Sequence, residues 1–335
     1  MRILFVCNYK PGVGGISGQV ELLQQKLRIE GHVADIFSTK ASVWKRMWML
    51  TKFHSKVKTY DVLHIHCCSG WGFLPAVMGV TIGKRLGKRV VLTYHGGGGE
   101  AFFAKHTVLV KRFLSRTDAN IVLSGFLAKV FELHQLPYII IPNIIELEKS
   151  AFRLREVINP NYICVRSHEP LYDIPCILRA FQKIQWVVPE ASLTLVGSGS
   201  QHEQLKRQVQ EMGLTSVTFM GRVENKDIYR YLDGADVFVS APKVDNMPVS
   251  VIEAMNAGLL VISSRVGGVP YMVEHGRTGL LFESENDEEL TEKMLWAVQH
   301  QDEAKNMIAM AHQSVKQYQW DNVKNQLYSV YGLSA

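Results

Sequence analysis

The chain has few cysteines and no long hydrophobic run. Its 335 residues include five cysteines, with no Cys-x-x-Cys pair and no zinc-ligand spacing. An odd number of cysteines without a recognisable signal peptide predicts reduced thiols in the cytoplasm. No stretch approaches the roughly 18–20 apolar residues that a membrane-spanning helix needs. The sequence therefore argues against a disulfide scaffold, a zinc module and an integral membrane protein.

Low-complexity segments and short repeats are also absent, and the composition is that of a globular α/β protein, with 47% hydrophobic and 20% charged residues. The length predicts two domains. Short apolar runs alternate with helical segments in both halves, as they do in parallel α/β sheets. The runs predicted as strands are RILFVCN, HVADIFS, VLHIHCC, RVVLTYH, ANIVLS and YIIIPN in the first half, and YICVRS, ASLTLVGSGS, VTFMGRV, ADVFVSA and LLVISS in the second.

Charge is divided unevenly between the halves. Residues 1–145 carry 19 Lys and Arg against 7 Asp and Glu, a net charge of +12. Residues 146–335 carry 18 against 24, a net charge of −6, which together give the +6 of the whole chain. A basic first half beside an acidic second half indicates that only the first half faces an anionic partner.

The stretch 245–279 carries the clearest chemical pattern. Asp245 precedes Pro248, a residue that favours the first turn of a helix, and Glu253 lies inside that helix, which Gly258 closes. Free backbone N–H groups near Val249, Ser250 and Val251 would form an anion site. A phosphate at a helix start, flanked by carboxylates that accept hydroxyl protons, suits a sugar nucleotide.

The same residues resemble the acidic-x7-Glu signature of retaining glycosyltransferases of family 4. The match continues through Ala254-Met255, Ala257-Gly258, Gly267-Gly268-Val269-Pro270 and the Gly-x-x-Gly-Leu-Leu ending at 276–281. Two positions depart from the family pattern, because Asp245 replaces the usual first Glu and Asn246-Met247-Pro248 replaces Gly-Phe-Gly.

The resemblance implies an α/β protein with the GT-B fold, in which two Rossmann-like parallel-sheet domains face a central cleft. The expected domains are an acceptor-binding domain of residues 1–145 and a nucleotide-sugar-binding domain of residues 146–319. A final helix at about 320–335 is expected to pack back on the first domain.

The resemblance also assigns site residues. Those expected to take part in catalysis are His95 at the end of a strand, Arg166 on the leaving diphosphate, and Asp245. Those expected to bind the donor are Gly14 and Gly15, Gly197 and Gly199, Gly221, Met247, Pro248, Val249 and Ser250, and Glu253, the last on ribose hydroxyls. From the residues alone, a tight turn at Gly14-Gly15 and a His95 that only hydrogen-bonds its loop are alternatives.

His64 and His66 alternate along one strand and therefore share a face. A metal site lacks a third ligand at any suggestive spacing, and enzymes of this fold need no bound metal, so we expect neither metal nor cofactor. We expect His66, nearer the strand end, to contact the acceptor and His64 to be an interior residue.

Arg166 stands where the family shows an arginine, but Tyr172-Asp173 follows where Lys-Gly is expected. Arg166 should therefore carry more of the interaction with the phosphates. Arg265 and Arg222 are alternative cations, although a surface salt bridge is the expectation for each.

Two segments of the basic half, 43–58 and 105–116, mix apolar and cationic side chains, the first with Trp44 and Trp48. An anionic membrane surface, a solvated helix face and nucleic acid are three interpretations. We favour the membrane and expect no nucleic acid, since no nucleic-acid module is visible. The expected location is cytoplasmic, peripheral at the inner face of the membrane.

The resemblance implies a retaining glycosyltransferase that moves a sugar from a nucleotide-sugar donor, and we favour a UDP-sugar. The expected acceptor is a glycan or a lipid-linked glycan in cell-surface polysaccharide or glycolipid synthesis. A sugar-nucleotide 2-epimerase of the same fold and a non-catalytic sugar-nucleotide-binding subunit are the alternatives.

Overall fold

The computed structural model describes residues 1–11, 15–40 and 46–333, without the side chains of residues 46–49. The chain divides into two compact units, Met1–Ile145 with Tyr318–Ala335, and Glu146–Gln317. We call them unit 1 and unit 2. Across the described ranges the strands form two six-stranded sheets, one in each unit, and every strand pairing is parallel. The α/β fold class predicted from the sequence is confirmed.

Unit 1 contains a sheet with the order β2-β1-β3-β4-β5-β6. Its strands are β1 (Arg2–Cys7), β2 (Val33–Ser38), β3 (Val62–Cys67), β4 (Arg89–Tyr94), β5 (Ala119–Val122) and β6 (Ile139–Ile140). Its helices are α1 (Ile16–Ile29), α2 (Arg46–Val57), α3 (Leu74–Arg85), α4 (Gly99–Lys105), α5 (Thr107–Leu114), α6 (Gly125–Leu133) and α13 (Trp320–Tyr331).

The two faces of this sheet carry separate cores. On one face the buried side chains of α2 to α6 pack together, including Phe53, Val110 and Phe131. On the other face α1 packs with α13, through residues such as Leu27 and Leu327. The last helix of the chain thus belongs to the core of unit 1, because its apolar side chains complete the face that α1 covers only in part.

Unit 2 contains a sheet with the order β12-β11-β10-β7-β8-β9. Its strands are β7 (Asn161–Val165), β8 (Ser192–Val196), β9 (Val217–Gly221), β10 (Val237–Ser240), β11 (Leu260–Ser264) and β12 (Leu280–Phe282). Its helices are α7 (Ile174–Val187), α8 (His202–Glu211), α9 (Ile228–Asp233), α10 (Val249–Ala257), α11 (Asp287–Gln299) and α12 (Gln301–Ser314).

Each run predicted as a strand overlaps a strand of the structure, and β12 is one that the sequence analysis missed. Its three residues, Leu280–Phe282, are all buried and pair with β11. A strand this short has no alternation of its own, so it resembles the end of the preceding loop in the sequence. The helix predicted after Pro248 is also confirmed as α10, and Gly258 ends it in the left-handed conformation with φ +78°.

The strand order of unit 2 reverses between β7 and β10. The chain proceeds from β7 outward through β8 to β9, then returns to lie on the other side of β7 as β10. In open parallel sheets, ligands bind at such a reversal, outside the carboxyl ends of the two strands. The equivalent reversal in unit 1 lies between β1 and β3.

Candidate active site

Arg166 follows the last residue of β7 and reaches across the reversal point of unit 2. Its Nε donates to Ser240 Oγ, at the end of β10, over 2.9 Å. Its Nη1 lies 2.9 Å from Asp245 Oδ2 in an ion pair. The side chain is only 8% exposed, and its Nη2 is buried without a hydrogen-bond partner among the described residues. A buried guanidinium nitrogen without a partner marks a place for an anion.

The amino end of α10 lies in the same loop region as Asp245. Pro248 is the residue before the helix, and no side chain caps it. The N–H groups of Val249 and Ser250 come in the first turn, where a helix offers no internal acceptor. The expectation for Val251 is wrong, because its N–H already donates to the Pro248 carbonyl over 3.1 Å. Ser250 adds a buried Oγ that has no hydrogen-bond partner in the described chain.

Asp245 is fixed by its own backbone as well as by Arg166. Its Oδ1 accepts from the N–H of Asn246 over 2.8 Å, and its carbonyl accepts from Gly268 over 2.9 Å. Gly267 has φ +53°, and a Cβ there would come within 1.9 Å of the Asp245 carbonyl oxygen. The Gly-Gly turn is therefore required for the loop that carries the carboxylate.

Three of the glycines predicted to bind the donor, Gly197, Gly199 and Gly221, lie at the carboxyl ends of β8 and β9 in unit 2. Gly197, after β8, has φ +145°, and a Cβ would lie 1.8 Å from the Arg166 carbonyl oxygen. A Cβ on Gly199 would lie 2.5 Å from the His168 carbonyl oxygen. Gly221 accepts from the Gly197 N–H over 2.8 Å. Gly197 and Gly199 are therefore required where the backbone of residues 166–168 packs closely against the segment after β8.

Glu253 lies inside α10, where burial raises its pKa to about 7. The hydroxyl of Tyr229 lies 3.5 Å from its Oε1, and that contact, together with the charges of Lys149 and Arg166, opposes the effect of burial. The pKa of Tyr229 is itself raised, first by burial and then by Glu253. A carboxyl group held in this way, with few protein partners, is suited to accepting hydroxyl hydrogen bonds from a ligand.

Replacing Glu253 with glutamine should stabilise the free protein at alkaline pH and weaken nucleotide binding. The folded-state pKa is raised, so wild-type stability falls as pH rises from about 4.5 to 7 and stays low above that. The raised pKa of Glu253 corresponds to about 3 kcal/mol of lost stability at pH 8, which the Gln variant should regain there but not at pH 4.5. Urea unfolding of wild type and Glu253→Gln at the two pH values measures this difference. Equal stabilities of the two proteins at pH 8 would contradict the effect of burial.

In unit 1, His66 and His95 form a pair at the carboxyl ends of β3 and β4. His66 Nδ1 and His95 Nε2 lie 2.9 Å apart, so one imidazole N–H donates to the other ring. Burial lowers the pKa of His95 to about 3, and burial with the neighbouring histidines lowers the pKa of His66 well below its usual value. Both rings are therefore neutral near pH 7. Such a pair can hydrogen-bond an uncharged hydroxyl but cannot act as a cation.

His64 is an interior residue, as predicted. Its Nδ1 lies 2.7 Å from the Tyr331 hydroxyl and its Nε2 lies 2.8 Å from Thr93 Oγ1. A cavity of about 20 Å³ lies beside His64 and His66, which is room for about one water molecule and too little for a sugar. An acceptor would therefore have to meet the outer side of the His66–His95 pair.

The remaining predicted residues fall in three groups. Gly14 lies outside the described residues, whereas Gly15 precedes α1 with φ +68°. Met247 and Pro248 are buried in the loop before α10. Arg265 pairs with Glu283 at 3.2 Å, and its side chain is 43% exposed, as expected of a surface salt bridge. Arg222 is exposed at the end of β9.

The sequence analysis missed Ser240 and Tyr229, which hold Arg166 and Glu253. Both are common residue types in unremarkable positions, and neither belongs to a motif. The one available signal for Ser240 is its place at the end of a predicted strand. That signal becomes specific only once the sheet order sets β10 beside β7.

The fold and this site define a class of protein. Two parallel α/β units and an anion site at a helix start beside a buried arginine are the features of a two-domain enzyme for nucleotide-bound substrates. Residues 152–314 match the family described as "Glycosyl transferases group 1", and residues 13–149 match "Glycosyltransferase Family 4".

Individual relatives agree with this class. An uncharacterized glycosyltransferase of Methanocaldococcus jannaschii is 22% identical, over 99% of this chain and 98% of that protein. The alpha-monoglucosyldiacylglycerol synthase of Streptococcus pneumoniae is 24% identical, over 88% and 82%. The structure of Anabaena HepE in complex with UDP-glucose is similar, with a TM-score of 0.81, 16% identity and 99% coverage of each chain.

The chain belongs to the group 1, family 4 glycosyltransferases with the GT-B fold. It is thus an enzyme that transfers a sugar from a nucleotide sugar. The roles of the individual site residues stay predictions.

Proposed function

We propose that the protein is a retaining glycosyltransferase that takes its sugar from a UDP-sugar and passes it to a glycan or lipid-linked acceptor. The observation that carries the proposal is the buried guanidinium of Arg166 with its unpartnered Nη2, beside the open first turn of α10. Together they offer fixed positive charge and hydrogen-bond donors to a diphosphate.

In the proposed reaction, the bond between the sugar's anomeric carbon and the β-phosphate oxygen breaks. Negative charge grows on that oxygen, where Arg166 and the N–H groups of Val249 and Ser250 stabilise it. The acceptor hydroxyl forms the new bond on the same face of the sugar. Its proton passes to the departing phosphate oxygen, so nucleoside diphosphate leaves and no protein group changes its charge.

The donor's other parts have separate places in unit 2. Glu253 accepts hydrogen bonds from the ribose hydroxyls. The backbone around Gly197, Gly199 and Gly221 contacts the base. A uracil base is favoured because the similar HepE structure holds UDP-glucose. Arg166 and α10 supply the positive charge in this proposal without a metal ion, so activity should persist in excess EDTA.

A donor panel tests this function. UDP-, GDP- and ADP-sugars are incubated with the enzyme, and release of nucleoside diphosphate is measured with and without glycan and glycolipid acceptors. The proposal expects release from one UDP-sugar, increased by an acceptor, with the product keeping the donor's anomeric configuration. An isomerised UDP-sugar formed without acceptor would instead indicate the 2-epimerase, and inversion would contradict retention.

The acceptor side of the proposal rests on unit 1. The neutral His66–His95 pair suits hydrogen bonds to an acceptor hydroxyl. A lipid-linked acceptor is supported by the name of the pneumococcal relative, a diacylglycerol glycolipid synthase. No helix within the described ranges is long and apolar enough to cross a membrane. We propose that a surface that binds reversibly to lipid brings the enzyme to such an acceptor.

The surface we propose for this contact lies on α2 and α5. On α5, Val108 is 83% exposed, and Leu109 is also exposed. Around them lie exposed cations at Lys105, Lys111, Arg112 and Arg116. Both helices pack on α3 in the same core, so their outer sides share one face of unit 1. Trp44 and the side chain of Trp48, which also motivated the prediction, lie outside the described residues.

The protein should sediment with anionic vesicles at low salt and be released near physiological ionic strength. Each Lys or Arg at such a surface contributes about 1 kcal/mol, which salt screens. The double variant Lys111→Glu/Arg112→Glu should therefore bind at least about 30-fold more weakly. A matched reversal on α8 of unit 2, Lys206→Glu/Arg207→Glu, should leave binding unchanged. Wild-type protein that stays in the supernatant at low salt would refute the membrane contact.

A further inference from the structure

Tyr172 covers one face of the Arg166 guanidinium. The centre of the guanidinium lies 5.2 Å from the centroid of the tyrosine ring. Ser240 and Asp245 thus contact the edge of the Arg166 guanidinium, and the Tyr172 ring lies over one of its faces. These contacts leave Nη2 as the one guanidinium nitrogen for which the described chain provides no hydrogen bond.

The backbone fixes the position of the ring. Tyr172 ends a short 3₁₀ turn, and its N–H donates to the Glu169 carbonyl over 2.9 Å. The preceding carbonyl, of Leu171, accepts from Lys243 N–H in the loop after β10 over 2.8 Å. Asp173 follows in the left-handed conformation with φ +41° and immediately precedes α7. The loop is therefore tied to both strands that flank the reversal point.

The ring supplies orientation and water exclusion and adds no charge. An aromatic face attracts a cation through its quadrupole, and the attraction is larger when water is excluded. Burial raises the pKa of Tyr172, so the phenol stays neutral at the pH values at which enzymes of this kind work. Because the ring is neutral, Arg166 supplies the positive charge that an anion meets here. The ring also restricts the direction in which the remaining N–H groups of Arg166 point.

We propose that Tyr172 is a positioning residue that orients Arg166 toward the β-phosphate of the donor. The inference rests on the proposed function, since it assumes that a nucleoside diphosphate binds at the reversal point. Tyr172 itself does not contact the donor in this proposal; it acts through Arg166. Loss of the ring should then weaken the interaction with the β-phosphate and leave the rest of the nucleotide site intact.

The test compares UDP with UMP by titration calorimetry. The ratio of the dissociation constant of UMP to that of UDP isolates the contribution of the β-phosphate. In Tyr172→Leu this ratio should fall about tenfold, within the range that a cation–π contact spans. In Tyr172→Phe, which keeps the ring, the ratio should stay within about twofold of wild type. UMP affinity should be the same in all three proteins.

The controls separate the possible failures. Trp186→Leu removes an exposed aromatic residue near the far end of α7 and should leave the ratio unchanged. If Tyr172→Leu does not fold, Tyr172→Met replaces the ring with a flexible side chain. A wild-type protein that binds UDP no tighter than UMP contradicts the proposed function itself. A normal wild-type ratio that persists in the folded Leu or Met variant overturns only the role of Tyr172.

Discussion

Replacing Arg166 with glutamine should slow release of nucleoside diphosphate from the donor by about 100- to 1,000-fold, the usual loss for one preorganised donor at a developing anion. Nucleotide affinity should fall much less. The guanidinium meets a diphosphate in both states, but its charge matters most when the leaving oxygen gains negative charge. Removing Arg166 also leaves the Asp245 carboxylate without its ion-pair partner, which should add to the loss.

The matched control for Arg166 is Arg265→Gln. Arg265 lies at the end of β11 and makes a surface ion pair with Glu283, so its loss should change turnover by less than about threefold. Turnover of the UDP-sugar that the donor panel identifies, measured in both variants, decides the point. Near-normal turnover in Arg166→Gln, with a large loss in Arg265→Gln, would instead assign the phosphate contact to Arg265, after β11.

Replacing Arg155 with methionine should destabilise unit 2 by about 3–5 kcal/mol, the usual effect of breaking a buried ion pair. The Arg155 side chain is 1% exposed, and its Nε donates to Asp236 Oδ1 over 2.8 Å. It also donates to the carbonyl of Arg153 and to backbone carbonyls at the ends of α9 and α10. Those acceptors include Ala235 at 3.0 Å, Ala257 at 3.0 Å, Arg153 at 3.1 Å and Leu232 at 3.2 Å.

The neighbouring Arg153 provides the control for Arg155. Its side chain is 48% exposed; its Nε lies 3.3 Å from the exposed Asp233, and its Nη2 lies 3.5 Å from Asp236 Oδ1, at the outer edge of the same network. Arg153→Met should therefore cost less than about 1 kcal/mol. Urea unfolding followed by circular dichroism compares the two variants. Equal effects would mean that the buried network contributes no more than a surface ion pair, which contradicts the account of how the start of unit 2 is held.

Most strands could be predicted from the sequence, but their order in the sheets could not. Apolar runs such as YICVRS and LLVISS are visible because burial on both faces demands continuous hydrophobic residues. The neighbours of a strand depend on pairing between distant segments, which no local pattern encodes. The contact between Arg166 and Ser240 follows from β7 lying beside β10, and it therefore appears only in the structure.

The candidate site shows the same limit at the level of side chains. Asp245 and Glu253 were found because their spacing matches a family signature around a helix start. Tyr172 appeared in the sequence only as a departure from that signature, and its stacking on Arg166 required the three-dimensional structure. The misassigned N–H of Val251 shows that a helix start offers fewer free donors than its first turn suggests.

The most direct test of the central claim is calorimetric titration of the wild-type protein with nucleoside diphosphates and the matching monophosphates. The account predicts that UDP, or GDP or ADP if the base differs, binds at least about tenfold tighter than its monophosphate, because Arg166 and the start of α10 meet the second phosphate. No binding of any diphosphate, or equal affinity for diphosphate and monophosphate, would contradict it.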